Sequence, residues 1–239
     1  MSELSGETRL AVVGPTPLAE AIEVAGGVPV DETDAADAIV AVGPTAISEL
    51  AADPPAKPVV PVDAGRGLPS VPGVDATDAI AAFLAGDWSP VTHPLLTVDS
   101  SLGTHTALSD TMLVTEQPAR ISEYAIHSRG ERVARFRADG VVVATPVGSH
   151  GYARTAGGPV VAPDTGLAVV PISPFATDAD DWVLPAKDLE LRVERDEAAV
   201  ELLVDDRRLG SIDTATPVTL ATEEELTFVS TEFATGFFE

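Results

Sequence analysis

One change of pattern, near residue 88, constrains the fold of this chain more than any other feature of its sequence. Before that point, apolar runs at residues 10–14, 38–43 and 58–63 alternate with segments of helical periodicity, two of which close on glycine. Alternation of buried strands with helices is typical of a parallel sheet. We therefore predict a small α/β domain with a parallel sheet over residues 1–88.

The chain after residue 88 consists almost entirely of strand-like segments separated by turn signals. This pattern predicts an all-β domain, a β-sandwich, over residues 89–225. A tail over residues 226–239 carries Phe233 and Phe237 four positions apart, which favours packing back onto the body. The predicted fold class is thus α/β plus all-β. The strand-like segments are residues 95–100, 119–128, 131–138, 141–146, 167–173, 189–195, 199–205 and 226–230.

The charge of the chain excludes some classes of partner. Its formal net charge is -24, from 38 acidic and 14 basic residues, and Lys57 and Lys187 are its only lysines. Nucleic acids and anionic membranes bind basic patches, so we expect neither as a partner. An acidic shell of this kind is typical of proteins that work in concentrated salt, which indicates a halophilic, haloarchaeal source. The alternative is an acidic protein from an ordinary cytoplasm.

The chain contains no cysteine, which excludes thiol catalysis, disulfides and thiolate metal sites. It has no N-terminal basic-then-apolar segment, and no apolar run approaches the roughly 20 residues that a membrane helix needs. We therefore expect a cytoplasmic protein.

Residues 137–161, RADGVVVATPVGSHGYARTAGGPVV, gather turn signals and small polar residues between two apolar strands. Asp139-Gly140 predicts a two-residue hairpin turn, because that turn needs positive φ at both positions. Ser149 is a candidate cap for a short helix that the glycines at 157 and 158 would end. A helix N-terminus flanked by glycines binds anions, although a plain connecting loop explains the same composition.

The same stretch carries a resemblance to a known family. Residues 138–140 read Ala-Asp-Gly, residues 145–152 read Thr-Pro-Val-Gly-Ser-His-Gly-Tyr, and residues 156–159 read Ala-Gly-Gly-Pro. In order and spacing they resemble the NAD kinase family, whose segment is approximately ADG, an apolar run, TPTGSTAYS and SAGGP. More loosely, LAVVPISPF and DWVLPAKDLELRV resemble later family segments. The resemblance covers most of residues 97–206.

The resemblance implies a phosphotransferase. Members of the family transfer a phosphoryl group from ATP or polyphosphate to the 2′-hydroxyl of the adenosine ribose of NAD, giving NADP, with a divalent metal such as Mg²⁺. It also implies NAD or NADP as ligand and a homo-oligomer, a dimer or tetramer. Asp139 would accept hydrogen bonds from the dinucleotide, and Tyr152 would line its pocket. The residues implied in NAD binding are Ser109, Asp110, Asp139, Gly140, Thr145, Gly148, Ser149, His150, Gly151, Tyr152, Thr155, Gly157 and Gly158.

Several positions depart from the family pattern. Ser109-Asp110 stands where the family has Asn-Glu, and His150-Gly151 replaces Thr-Ala. Gly43-Pro44-Thr45 stands where the family has Gly-Gly-Asp-Gly-Thr, so the catalytic Asp of that turn is absent and only Gly43 and Thr45 remain as phosphate contacts. The proline also removes one N–H that could bind phosphate. Asp63, in VDAGRGLP, replaces a family Asn.

These departures leave two principal interpretations. In the first, the chain is an active NAD kinase in which Asp110 or Asp63 takes over the role of the missing Asp. In the second, it is a catalytically inactive member that binds NAD(H) or NADP(H) as a sensor or partner subunit. A third interpretation is a β-sandwich kept purely as a scaffold.

Overall fold

The computed structural model describes residues 7–117, 120–176, 179–214 and 216–239. The chain divides into two compact units. The first contains the residues up to 93 together with residues 225–239, and the second contains residues 94–224.

The first unit is built on a parallel sheet. Its strand order is β2, β1, β3, β4, and residue Phe228 at the end of strand β16 pairs in parallel with Val59 of β4. Helices α1 and α3 bury Ile22, Ile80 and Phe83 in one apolar core with the strands, and Gly86 closes α3 with φ of 83°. The elements are β1 Arg9–Val13, α1 Ala19–Val24, β2 Val28–Val30, β3 Ala38–Val42, α2 Gly43–Ala52, β4 Val59–Val62 and α3 Ala76–Ala85.

Residues of the C-terminal tail pack within this first unit. The backbone N–H and the hydroxyl of Thr235 both donate to the carbonyl oxygen of Ser70, at 2.9 and 3.0 Å. The Arg66 guanidinium donates to the carbonyl oxygens of Phe238 and Glu239.

The second unit is a largely antiparallel β-sandwich. One sheet has the strand order β12, β11, β10, β7, β14, β15, and the facing sheet contains β16, β13, β8 and β9. The elements are β5 Ser89–Ser100, β6 Gly103–Ala107, β7 Asp110–Thr115, β8 Ser122–Ser128, β9 Glu131–Ala138, β10 Gly140–Ala144, α4 Tyr152–Thr155, β11 Leu167–Ile172, β12 Trp182–Leu184, β13 Leu189–Arg195, β14 Val200–Val204, β15 Arg207–Ile212 and β16 Pro217–Ser230.

Strand β10 lies at the centre of this unit and is buried on both faces. Val141 and Val143 point into the core between the two sheets, and Val142 and Ala144 into a second core shared with α4. This explains why its sequence is continuously apolar rather than alternating. The strand separates Asp139, which precedes it, from Thr145, which follows it, and so fixes the distance between these two parts of the 137–161 segment.

The predicted fold class is confirmed, but the predicted turn at Asp139-Gly140 is wrong. Strand β9 pairs with β8 in one sheet, while β10 pairs with β7 and β11 in the other, so the dipeptide connects two sheets. Neither residue has positive φ. Glycine is required for a different reason: a Cβ atom at Gly140 would lie 2.5 Å from the carbonyl oxygen of Leu113.

The prediction that Ser149 caps a helix is also wrong. Ser149 lies inside a 3₁₀ turn over Gly148–His150, and the residue that precedes α4 is Gly151. The predicted helix end is confirmed, since Gly157 has φ of 109°, a conformation that glycine adopts without strain. Among the described residues, no helix is long and apolar enough to cross a membrane.

Candidate functional site

The start of β7 and the segment after β10 lie against each other and form the candidate site. In the antiparallel pair, Asp110 is opposite Ala144. The next residue, Thr145, donates its backbone N–H to the carbonyl oxygen of Ser109 at 2.8 Å. A Cβ atom at Gly148 would lie 2.0 Å from the same oxygen, so only glycine fits there. The structure therefore brings Ser109 and Asp110 next to the Thr145–Ser149 segment.

Two hydroxyl groups of the motif brace this arrangement from inside. Thr145 is 1% exposed and donates its hydroxyl to the carbonyl oxygen of Leu108 at 2.5 Å. Ser149 is fully buried; its hydroxyl donates to the Pro146 carbonyl oxygen at 2.6 Å and accepts the Val161 N–H at 3.0 Å. Both side chains therefore form the frame of the site rather than its surface.

Asp110 lies beside a second buried carboxylate, Asp205, in the turn between β14 and β15. Each of the two residues is only 7% exposed. The Asp205 carboxylate accepts the backbone N–H groups of Ser109, Leu108 and Asp110 at 2.8, 3.1 and 3.2 Å. In return, the Asp205 N–H donates to the Asp110 carbonyl oxygen at 2.8 Å.

The surroundings change the acidity of both groups. Burial, reinforced by the negative charge of Asp205, raises the pKa of Asp110 to about 7. Burial also raises the pKa of Asp205, against the opposing effect of its three N–H donors and of Arg207. Because its pKa is raised to about 7, the Asp110 carboxyl can exchange a proton near neutral pH.

The remaining residues of the motif form its exposed part. Tyr152, the first residue of α4, is 45% exposed, and Gly151, Thr155 and Gly157 are also exposed. His150 is half-buried. Gly158 is buried because its α-carbon packs against Val170, where a Cβ atom would lie 2.5 Å from Cγ2.

Asp139 lies away from this cluster. It precedes β10, whereas Thr145 follows it, and at about 3.3 Å per residue the two are about 20 Å apart along the strand. Its backbone carbonyl accepts the Thr115 N–H at 2.8 Å and the Tyr124 hydroxyl at 3.3 Å. Within one chain, Asp139 and Gly140 therefore do not join the Ser109 and Asp110 end of the motif.

The other predicted residues, Gly43, Thr45 and Asp63, belong to the first unit and lie at the carboxyl ends of neighbouring parallel strands. Helix α2 begins directly at Gly43, which has φ of 85°, with Pro44 in its first turn. Asp63 follows β4 and accepts the Gly73 N–H at 2.9 Å. That bond gives Asp63 a structural role in its own loop.

A divalent metal has no preformed protein site among the described residues, since they contain no group of three or more His, Asp or Glu side chains that could hold one. Mg²⁺ usually binds one or two carboxylates together with the phosphates of its substrate.

Asp205 was missed by the sequence analysis. The run AVELLVD predicts a strand that ends at this residue, but an acid at a strand end in so acidic a chain gives no sign of burial. Its spatial neighbours, residues 108–110, lie 95 to 97 positions away in sequence.

Comparisons with known proteins show which family this chain resembles. The family model for the ATP-NAD kinase C-terminal domain matches residues 108–228, half of the chain. An NAD kinase of Methanospirillum hungatei is 46% identical over 71 residues, 29% of this chain and 26% of the relative. An NAD kinase of Gemmatimonas aurantiaca is 32% identical over 158 residues, 62% of this chain and 54% of the relative. The chain thus spans between about a quarter and about half the length of these curated relatives.

A solved structure shows a similar fold across nearly the whole chain. The crystal structure of an NAD kinase from Archaeoglobus fulgidus in complex with ATP has a TM-score of 0.76 at 24% identity, with 94% of each chain covered. At this identity the similarity concerns the fold alone.

Proposed function

The chain belongs to the ATP-NAD kinase family, and on that premise we propose that it is an NAD kinase-like phosphotransferase that converts NAD to NADP. The observation that carries the proposal is the buried Asp110 carboxyl, set beside the family segment over residues 145–158. A general base is most effective when its pKa lies near the working pH, and that of Asp110 is raised to about 7.

In the proposed reaction the 2′-hydroxyl oxygen of the adenosine ribose attacks the terminal phosphorus of ATP or polyphosphate. The new bond joins that oxygen to phosphorus, and the bond to the leaving phosphate oxygen breaks, which releases ADP or a shortened polyphosphate. The hydroxyl proton passes to the ionised Asp110 carboxylate. A divalent metal such as Mg²⁺, bound to the phosphates of the donor, would supply positive charge that offsets the negative charge of the transferred group.

We assign the dinucleotide to the surface formed by Ser109, Asp110, His150 and Tyr152. Gly148 and Gly158 allow neighbouring segments to pack closely, and Gly151 and Gly157 leave exposed backbone that a ligand can approach, as a nucleotide pocket requires. Thr145, Ser149 and Thr155 support that surface. Asp139 and Gly140, at the other end of β10, are assigned to a separate contact with the dinucleotide.

A second candidate function is a catalytically inactive member that binds NAD or NADP as a sensor or partner subunit. The observation in its favour is that α2 begins immediately after β3, at Gly43-Pro44, with no carboxylate in that turn. Without a positioned acid or base, the rate falls by about 10²–10⁴-fold.

One assay separates the two functions. NADP formation is measured in molar KCl with NAD, Mg²⁺ and either ATP or polyphosphate, for the wild type, Asp110→Asn and Asp63→Asn. The proposal predicts turnover by the wild type that collapses in Asp110→Asn and persists in Asp63→Asn, because the Asp63 carboxylate is bound to its own loop. Turnover indifferent to Asp110→Asn would overturn its assignment. No turnover together with NAD binding would favour the inactive member.

The proposal extends to the state of the protein in solution. By family resemblance we propose a homodimer or homotetramer working in a salt-rich cytoplasm. Light scattering in molar KCl tests the oligomer, and a monomeric mass would contradict it.

A further inference from the structure

The Asp205 turn and the start of β7 are fixed to each other by reciprocal hydrogen bonds. Asp205 has φ of 50°, in the left-handed region that aspartate and asparagine tolerate better than most residues. Its Oδ1 atom accepts the N–H groups of Ser109 and Asp110, and its Oδ2 atom accepts that of Leu108. The backbone at residues 108–110 therefore depends on one side chain from a distant part of the sequence.

We propose that Asp205 is a positioning residue of the site, which holds the backbone of residues 108–110 in place and acts through its charge on the Asp110 carboxyl. The inference rests on the proposed function, since it concerns the group that would take the proton from the ribose. Asp205 acts through Asp110 and is not assigned a contact with the substrate.

In the described part of the chain, few charged groups other than Asp205 act on the Asp110 carboxyl. Strand β10 carries no titratable side chain, and Glu201 on β14 is paired with Arg208 at 2.9 Å. Arg207 on β15 acts on Asp205 and donates to the Thr106 carbonyl oxygen at 2.5 Å. His150 lies in the segment after β10, and His105 on β6 contacts the Leu102 carbonyl oxygen. A second buried carboxylate next to Asp110 disfavours its ionised form.

The atomic arrangement allows charge and position to be separated by mutation. Asp205→Asn leaves an amide oxygen that can accept the Ser109 and Asp110 N–H bonds now made to Oδ1. It removes the negative charge and the acceptor for Leu108. Asparagine also tolerates the positive φ of this turn. Asp205→Ala removes the charge and all three bonds. Asp206→Asn is the matched control, because Asp206 lies in the same turn and is exposed.

The direct test follows the Asp110 carboxyl carbon by NMR through a pH titration of the folded protein in molar KCl. Its resonance is identified by its loss in Asp110→Asn. We expect the midpoint to fall by about one pH unit or more in Asp205→Asn, since a neighbouring like charge is removed. In Asp206→Asn it should stay at the wild-type value. An equal midpoint in the wild type and Asp205→Asn would overturn the role of the charge.

The kinetic test is the pH profile of kcat/KM for NADP formation. Its acidic limb should move to lower pH in Asp205→Asn and not in Asp206→Asn, and Asp205→Ala should lose about 100-fold because the reacting group is misplaced. If Asp205→Asn lowers kcat/KM by the same factor at every pH and leaves the acidic limb in place, Asp205 has only a structural role and the inference is overturned. If neither the wild type nor any variant forms NADP but the NMR midpoint still falls in Asp205→Asn, the proposed function fails. The effect of the Asp205 charge on the Asp110 carboxyl is then still supported.

Discussion

Gly148 packs against the carbonyl oxygen of Ser109 so closely that any side chain is excluded. A Cβ atom would lie 2.0 Å from the oxygen and 2.5 Å from the carbonyl carbon, both of which are backbone atoms that cannot rotate away. This contact joins the residue before Asp110 to the segment that carries Tyr152.

We expect Gly148→Ala to push these two segments apart and to destabilise the protein by about 1–3 kcal/mol, the usual cost of overpacking. The loss should also remove the protection that NAD gives against thermal unfolding. Gly151→Ala is the control for the melting temperature without ligand: its Cβ atom would lie 3.3 Å from the Gly148 carbonyl oxygen, so a small shift accommodates it. Equal melting temperatures for wild type and Gly148→Ala would contradict the packing argument.

The stability of the protein should fall as the pH rises through the pKa of Asp110. The folded state holds the Asp110 proton up to about pH 7, whereas an unfolded Asp releases it near 3.8, so folded protein binds more protons between these values. Asp110→Asn removes the buried charge and should stabilise the protein by up to about 4 kcal/mol at pH 8, with little effect near pH 4. The free energy of unfolding, measured at both pH values in molar KCl, checks this. A difference between variant and wild type that is the same at both would count against the raised pKa.

The buried Ser149 hydroxyl should contribute more to stability than an exposed hydroxyl of the same motif. Ser149→Ala leaves the Val161 N–H without its acceptor, at a cost of about 1–3 kcal/mol. Thr155→Ala is the matched control, since the exposed Thr155 hydroxyl makes only a 3.5 Å contact with the Gly151 carbonyl oxygen. Equal unfolding free energies for the two variants would show that Ser149 does not brace the site.

The acidic composition predicts a requirement for salt. Lowering the ionic strength lengthens the screening distance from about 3 Å at 1 M to about 30 Å at 0.01 M, so repulsion within a chain of net charge -24 opposes folding. We expect loss of structure on dialysis into dilute buffer, reversed by adding KCl. A circular dichroism spectrum that is unchanged between molar and millimolar salt would contradict the halophilic interpretation.

The first unit could be predicted well from the sequence because its signals are local. The helices α1 and α3 have clear periodicity and end at glycines, and the apolar strands β1, β3 and β4 are bounded by breakers. Strand β2, only three residues long and containing Pro29, was missed. In the second unit, β7 was missed, because DTMLVT shows only a weak alternation of apolar and polar residues.

The site could be predicted only where its residues are contiguous. The 145–158 motif lies in one segment, so its spacing identifies it. The role of each residue depends on spatial neighbours that the spacing does not show. Thr145 and Ser149 have polar side chains but are buried. Gly140 must be glycine because it packs against the Leu113 carbonyl oxygen, not because it forms a turn. The pair Asp110 and Asp205 is created by the pairing of β7 with β14, which no local pattern encodes.

The most direct test of the account is the binding of NAD and NADP, since the kinase and the inactive member share the dinucleotide site. Isothermal titration in molar KCl measures it for the wild type, Tyr152→Ala, Asp139→Ala and Asp63→Asn. We expect saturable binding of at least one dinucleotide at submillimolar concentration, weakened by Tyr152→Ala and Asp139→Ala and unchanged by Asp63→Asn. The melting temperature should also rise, because the ligand binds only the folded state. Absence of both heat and thermal protection at millimolar NAD and NADP would contradict it.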